Sequence, residues 1–328
     1  MKFSYPEKKE FIFSIFDDTD VSTLEYIKPI YEYLSELNIK STKSVWPLCS
    51  HIPSDYSGSH TLEDEDYAYY VKELQERGFE IGFHGTTMTS STREKIEKGF
   101  KVFHSVLGRY PRIYTAHSTN RENLYWGVSR FSFPLVRTIY SKKFGRQDDY
   151  YQGIKENSPF FWGDFSLKYI DYVRNLTFNE INLLNISLKL PYTDNKKPWV
   201  KYWFYTSDAD NVEDFNRLIN EKNQDELHRQ NGVCIISTHF GKGYIQNGQL
   251  CNKTKLLLKR ISEKNGWFVP VSTVLDFLKS INENNPIKDG ELKKIEYRWL
   301  LDYLKRRWLK SKNYEKTEIP YLLKAGNI

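Results

Sequence analysis

Cysteine is scarce. The 328 residues hold three, at positions 49, 234 and 251, with no Cys-x-x-Cys spacing, so neither a disulfide framework nor a thiolate zinc site is indicated. Long apolar runs are missing too: no stretch approaches the roughly 20 residues that a membrane-spanning helix needs. The opening MKFSYPEKKE lacks the apolar segment of a secretory signal, and a cytoplasmic protein is the expectation. No internal repeat or low-complexity linker stands out. Charge of one sign is also lacking, since 48 basic side chains face 42 acidic ones for a net charge of +6 and a pI near 8.9. That balance suits an anionic substrate or surface without requiring nucleic acid, and no nucleic-acid motif accompanies it. Aromatic residues are plentiful: 8 Trp, 24 Tyr and 20 Phe make 16% of the chain, within 39% hydrophobic residues overall. Such a chain can build a large buried core, which excludes disorder and collagen-like structure.

Short β-branched or aromatic runs alternate with amphipathic stretches, the pattern of β-α units around a parallel sheet or barrel. Strands are predicted at Phe11–Phe16, Thr42–Trp46, Glu80–Phe83, Arg112–Ala116, Phe160–Trp162, Tyr202–Tyr205 and Val233–Ser237. Helices are predicted at Ser22–Leu37, Asp64–Arg77, Ser91–Leu107, Arg121–Tyr140, Val212–Ile219 and Thr254–Lys264, closed by turn residues such as Gly78 and Gly108. About seven strands suit an incomplete or distorted (β/α) barrel better than a six-stranded open sheet. The stretch from Asp164 to Pro198 reads ambiguously. Asn282–Pro286 (NENNP) marks a boundary, dividing a barrel at 1–284 from a basic tail at 285–328. Within the tail, Glu291–Lys312 reads as an amphipathic helix with Leu292, Ile295, Trp299, Leu304 and Trp308 near one face. Lys305, Arg306, Arg307, Lys310 and Lys312 cluster at its end. Such a helix either packs on the barrel or makes a peripheral contact with the inner face of an anionic membrane.

Several predicted strands stop abruptly at ionisable residues. FIFSIF runs into Asp17 and Asp18, EIGF into His84, RIYTA into His117 and CIIST into His239. In parallel β/α folds the C-terminal ends of the strands converge, so these side chains are expected to meet on one face. Two imidazoles and a carboxylate around a divalent ion, with open positions, would lower the pKa of a bound water and polarise a carbonyl, which points to hydrolysis. A second carboxylate serves as general base and an opposite histidine as general acid, roles that fall to Asp17 and His239. The bland alternative is that strand-end histidines are hydrogen-bonded structural residues and the aspartates cap the next helix. His51, His60, His104 and His228 lie in loops or helical patterns and read as structural or exposed.

FSIFDDTD resembles the first motif of the NodB-homology polysaccharide deacetylases, GFEIGFHGTT their second and GVCIISTHF their last. SPFFWGDF, YVRNLTFNEIN, AHSTNRENLYWG, GVCIISTHF and NGWFVPVSTVLDFL carry a closer resemblance, over roughly residues 10–280, to the WbmS-like branch associated with lipopolysaccharide O-antigen and capsule gene clusters. The resemblance implies Asp17 as base, Asp18 and His84 as ligands of a divalent metal, zinc by preference, and His239 as acid. The implied reaction is hydrolysis of an N-acetyl or similar acyl group on an amino sugar or glycan precursor. The family's second motif offers another histidine four residues after the first; here that position is Met88, a thioether poorly matched to zinc. The family's arginine-and-proline motif is absent at the fourth strand, where His117 stands instead and is taken from strand topology as the substitute ligand. Asn123, Trp126, Trp162 and Asp164 are expected to face the substrate.

Two further readings remain open. Asp18-Thr19-Asp20 also matches the Asp-x-Asp loop of haloacid-dehalogenase-like phosphatases, with Asp18 as nucleophile, Asp20 as acid and Gly163-Asp164 as magnesium motif. Met88 in the place of histidine supports a glycan-binding or scaffolding protein on a degenerate deacetylase barrel.

Overall fold

A computed structural model describes residues 4–50, 59–144, 149–282 and 286–313. Its centre is a ring of parallel strands: β1 (Phe11–Asp17), β2 (Thr42–Val45), β3 (Glu80–Phe83), β4 (Ile113–Tyr114), β5 (Tyr172–Phe178), β6 (Tyr202–Asp208) and β7 (Val233–Thr238). Each pairs with the next, and β1 pairs with β7 from Ile12↔Val233 to Asp17↔Thr238, closing a seven-stranded barrel as the strand count predicts. Every residue of β1 and β7 is buried. This is why both read as continuous apolar runs rather than as alternating ones. A short hairpin, β8 (Ile245–Gln246) and β9 (Gln249–Leu250), follows, and β10 (Gly266–Trp267) pairs with the start of β1 at Phe11↔Gly266.

The helices are α1 (Leu24–Glu36), α2 (Glu65–Glu76), α3 (Arg93–Leu107), α4 (Pro134–Phe144), α5 (Gly163–Tyr169), α6 (Val212–Leu218), α7 (Glu221–Arg229), α8 (Asn252–Ser262), α9 (Val271–Ile281) and α10 (Asp289–Asn313). In α1 the buried residues are Ile27, Ile30, Tyr31 and Leu34, a stripe at helical spacing that seals against the barrel. Gly108 closes α3 in the left-handed conformation at φ +70°, as its place after the helical pattern predicts.

Two expectations need correction. Phe160–Trp162 is no strand but a turn leading into α5, where a Cβ on Gly163 would come within 2.6 Å of Trp199. The fifth strand is Tyr172–Phe178, hidden because Arg174 and Asn175 interrupt its apolar pattern; a register shift between Arg174 and Thr177 marks a bulge there. Bulges re-aim side chains, and this one turns Arg174 toward the end of β1. The predicted helix over Arg121–Tyr140 is an irregular loop with a short 3-10 turn at Gly127–Arg130, and helix begins only at Pro134. Tyr125 and Gly127 at φ +45° and +64° cannot continue an α-helix.

The tail helix exists. Leu292, Ile295, Trp299 and Leu300 of α10 are buried on the barrel side, Trp299 lies 4.7 Å from Phe131, and Glu296 accepts from the Ser132 and Phe133 amides at 2.7 Å each. The side chains of Arg306, Arg307, Trp308, Lys310 and Lys312 lie outside the described residues, as does His51. Among the described residues no helix is long and apolar enough to cross a membrane.

Candidate functional site

The C-terminal ends of β1, β3, β4 and β7 meet on one face of the barrel and bring Asp18, Asp20, His84, His117 and His239 together. The segment after β1 is strained: Val21, a β-branched residue, sits at φ +58°. Its carbonyl lies so near Gly241 that a Cβ there would fall 2.2 Å from it. This contact holds the Asp18–Ser22 loop against the loop carrying His239, and strain of this kind persists only where the surroundings impose it.

Asp20 is the hub. His84 Nε2 lies 3.3 Å and His117 Nε2 4.0 Å from its Oδ1, and His239 Nε2 lies 3.2 Å from its Oδ2. Lys242 Nζ stands 3.9 Å from the same Oδ2. Asp20 Oδ1 and His84 Nε2 are both buried and make no hydrogen bond among the described residues. The hydrogen bonds behind the rings explain this. Thr115 Oγ1 donates its only proton to Asp18 Oδ1 at 2.9 Å, so at 2.7 Å from His84 Nδ1 it must accept from that nitrogen. In the neutral ring this tautomer turns the lone pair of Nε2 toward Asp20. On His117, Asn120 directs its amide nitrogen to the carbonyls of Thr87 and Thr89 and to Glu122, leaving Oδ1 to accept from His117 Nδ1 at 3.3 Å. His117 Nε2 is then a second lone-pair donor facing the same carboxylate oxygen. With both rings neutral, two imidazole nitrogens and a carboxylate oxygen face one point, an arrangement that a proton on a ring or a cation between them relieves.

These residues fit a divalent metal. The donor set of two imidazoles and a carboxylate suits zinc, each imidazole is oriented by a hydrogen bond from behind, and the 3.3 Å separation matches the edge of about 3.3 Å expected for a tetrahedral zinc site. As they stand, no group of three or more His, Cys, Asp or Glu among the described residues is placed to hold a metal ion, and the 4.0 Å leg to His117 would have to shorten.

Burial opposes the charge on Asp20, but the hydrogen bond from His239 outweighs it and holds the carboxyl well below its usual range. For His239 burial also opposes the charge, yet Asp20 lifts the imidazole to about 9; its Nδ1 donates to the Asp210 carbonyl at 2.8 Å. Asp18, buried as well, is kept ionised chiefly by Arg174, whose Nη2 lies 2.8 Å from Oδ2. Burial lowers His117 despite the pull of Asp20, favouring the neutral ring that a metal ligand needs.

Asp17 is placed differently. Its carboxylate faces a buried ion pair with Lys43 at 3.1 Å and also accepts from Tyr31 Oη at 3.0 Å and the Phe240 amide at 2.9 Å. Asp164 lies in α5 and forms a two-pronged pair with Arg93 at 2.7 and 2.6 Å, apart from the cluster. Trp162 is buried and donates to the Glu122 carbonyl. Asn123 is buried between Tyr114 Oη and the His117 carbonyl, where it supports the histidine's backbone. Trp126 is half-buried under Arg130 at 3.9 Å, and Met88 is buried in the loop after His84. With Asp164 on an outer helix, Asp18 and Asp20 lack the partner that the phosphatase reading assigned them. Sequence reasoning singled out Asp20 only as the acid of the phosphatase reading, from the spacing Asp18-x-Asp20 after a strand end, and did not join it to the histidines. Thr115 and Arg174 had none, since each is defined by its partner across the barrel.

No family model matches the chain, and no curated protein matches it. Among solved structures, one described as a polysaccharide deacetylase from Mycobacterium smegmatis shares 12% identity at a TM-score of 0.49, covering 88% of this chain and 97% of its own. An allantoinase shares 11% at 0.47, covering 85% and 93%. A protein described as a polysaccharide deacetylase from Pseudomonas aeruginosa PAO1 shares 12% at 0.46, covering 87% and 95%. Likenesses this loose assign no activity, and the barrel stands on its own strand order.

Proposed function

We propose that this chain is a metal-dependent hydrolase that removes an N-acetyl or similar acyl group from an amino sugar or glycan precursor of a bacterial surface polysaccharide. The observation that carries the reading is the convergence of His84 Nε2 and His117 Nε2 on Asp20 Oδ1. Asp20, His84 and His117 would hold the ion, so that Asp20 takes the ligand place first expected for Asp18. When bound, a divalent ion supplies polarisation of the acyl carbonyl and a lowered pKa for water.

The chain's own residues supply the proton transfers. Asp18, ionised beside Arg174, takes a proton from the attacking water, the part first expected of Asp17; the Lys43 pair leaves Asp17 to hold the wall beneath. His239, which Asp20 raises to about 9 in the metal-free chain, donates to the departing amine, a poor leaving group without a proton. The Asp210 carbonyl fixes its ring orientation. The test is acetate release from N-acetylated sugar nucleotides and lipid-linked sugars. Release is expected from zinc-loaded protein, its abolition with chelator, and its loss in His239→Ala. No release from any acylated precursor by zinc-loaded protein would overturn the reading.

One observation favours the scaffold alternative: no three donors already stand in coordination geometry among the described residues. Zinc uptake decides between the two, because a barrel that has lost its metal takes up none.

A further inference from the structure

Beside the Asp18–Arg174 pair lies a second arginine whose charge has no counterion. Arg130 ends the 3-10 turn in the β4–β5 connection, which leaves β4 at the strand end that carries His117. The carbon of its guanidinium sits 3.9 Å from the centre of the Trp126 ring, Nη2 donates to the Asn175 carbonyl, and Nε lies 3.5 Å from Asn175 Oδ1. Among the described residues no carboxylate comes within ion-pair distance of it. Burial and the nearby charge of Arg174 push it down to about 10, while the neighbouring tyrosines, Tyr140, Tyr151 and Tyr192, are all raised by burial and so stay neutral.

The charges around it are otherwise matched. Arg174 commits Nη2 to Asp18, and its buried Nη1 has no hydrogen-bond partner. Lys197 donates to the Arg130 carbonyl at 2.7 Å and stands 3.5 Å from Asp194. Lys197 also feels the Glu296 carboxylate, so each of the other two cations has an acidic partner, and Arg130 is the one with no ion pair among the described residues. A part-buried guanidinium without a counterion costs stability. A guanidinium over an aromatic ring, with no hydrogen bond at Nη1 among the described residues, has a donor left for a carboxylate or phosphate.

We propose that Arg130, seated on Trp126 and backed by Arg174, is an anion-binding subsite beside the reacting centre, and that the substrate carries an acidic group, carboxylate or phosphate, close to its acyl group. The proposal rests on the hydrolase reading only for the rest of the substrate. Arg130 is tied to the strand that carries the chemistry: it bonds the carbonyl of Asn175, the residue after Arg174, which pairs with Asp18, so an anion at Arg130 would fix which end of the sugar faces the cluster.

The test uses chelator-treated full-length protein titrated by calorimetry with inorganic phosphate, glucuronate and glucose, in the wild type, Arg130→Met and Arg130→Lys. Saturable binding of at least one anion, none of glucose, and a loss of roughly tenfold or more in Arg130→Met that Arg130→Lys partly restores is the expected result. Phosphate alone points to a phosphorylated precursor, and glucuronate alone to an acidic sugar. No saturable anion binding by the wild type, or equal binding by Arg130→Met, overturns the proposal. If Arg130→Met does not fold, the wild-type titration and Arg130→Lys decide. Zinc uptake on the same preparations separates the two readings: anion binding without zinc sinks the hydrolase alone, and zinc without anion binding sinks the subsite alone.

Discussion

Three aspartates within four residues at the end of β1, Asp17, Asp18 and Asp20, meet different surroundings. Asp17 is enclosed by Lys43, Tyr31 and the Phe240 amide, every one at hydrogen-bond distance. Asp20, two residues beyond Asp18, faces His84 and His117 with an oxygen that nothing described here satisfies. The saturated carboxylate ties β1 to β2, α1 and the loop after β7, and so holds the barrel rim together. The unsaturated one leaves room for a ligand. Burial alone does not distinguish them, since both are buried; completeness of the partner set does.

That contrast is open to attack at Lys43 first. Lys43→Met leaves Asp17 buried without its cation, and removing one member of a buried pair costs about 3–5 kcal/mol, readable as a fall in the urea midpoint. Little change would mean that Asp17 is not a structural anchor. A smaller effect follows from pH. His239 is raised from its ordinary 6.5 to about 9 in the folded chain, so its contribution is fully present below pH 6.5 and is lost as pH rises through about 9. Metal-free protein should lose on the order of 1–3 kcal/mol across that window, and His239→Gln should flatten the profile.

Thr115→Val keeps the shape of the side chain but removes the hydroxyl that orients His84. Zinc affinity is expected to fall about 10–100-fold, with Thr115→Ser restoring most of it; an unchanged affinity would dissociate the hydroxyl from the site. Smallest of all is Asp164→Asn. The Arg93–Asp164 pair is largely exposed, and its loss should cost less than about 1 kcal/mol with zinc content unchanged.

The strand ends were legible because a fully buried strand is written as an unbroken apolar run, and FIFSIF, EIGF and CIIST each stop at a polar residue that the barrel mouth can solvate or pair. β5 was illegible for the opposite reason. YVRNLTF carries Arg174 and Asn175 in mid-strand, which locally reads as surface, and only the partners Asp18 and Tyr192 explain them. The irregular loop from Arg121 to Arg130 resembles a helix in composition, but its task is to supply Glu122 and Asn123 as supports behind and beside His117. Which aspartate faces the histidines depends on the strained turn at Val21, and no local pattern in FDDTDVS announces a β-branched residue at positive φ.

Metal content by plasma mass spectrometry, on protein reloaded with zinc and compared across wild type, Asp18→Asn and Asp20→Asn, tests the division of labour most directly. About one zinc per chain in the wild type and in Asp18→Asn, with loss in Asp20→Asn, is the predicted result. Retention in Asp20→Asn together with loss in Asp18→Asn, or a wild type that takes up no metal, would contradict it.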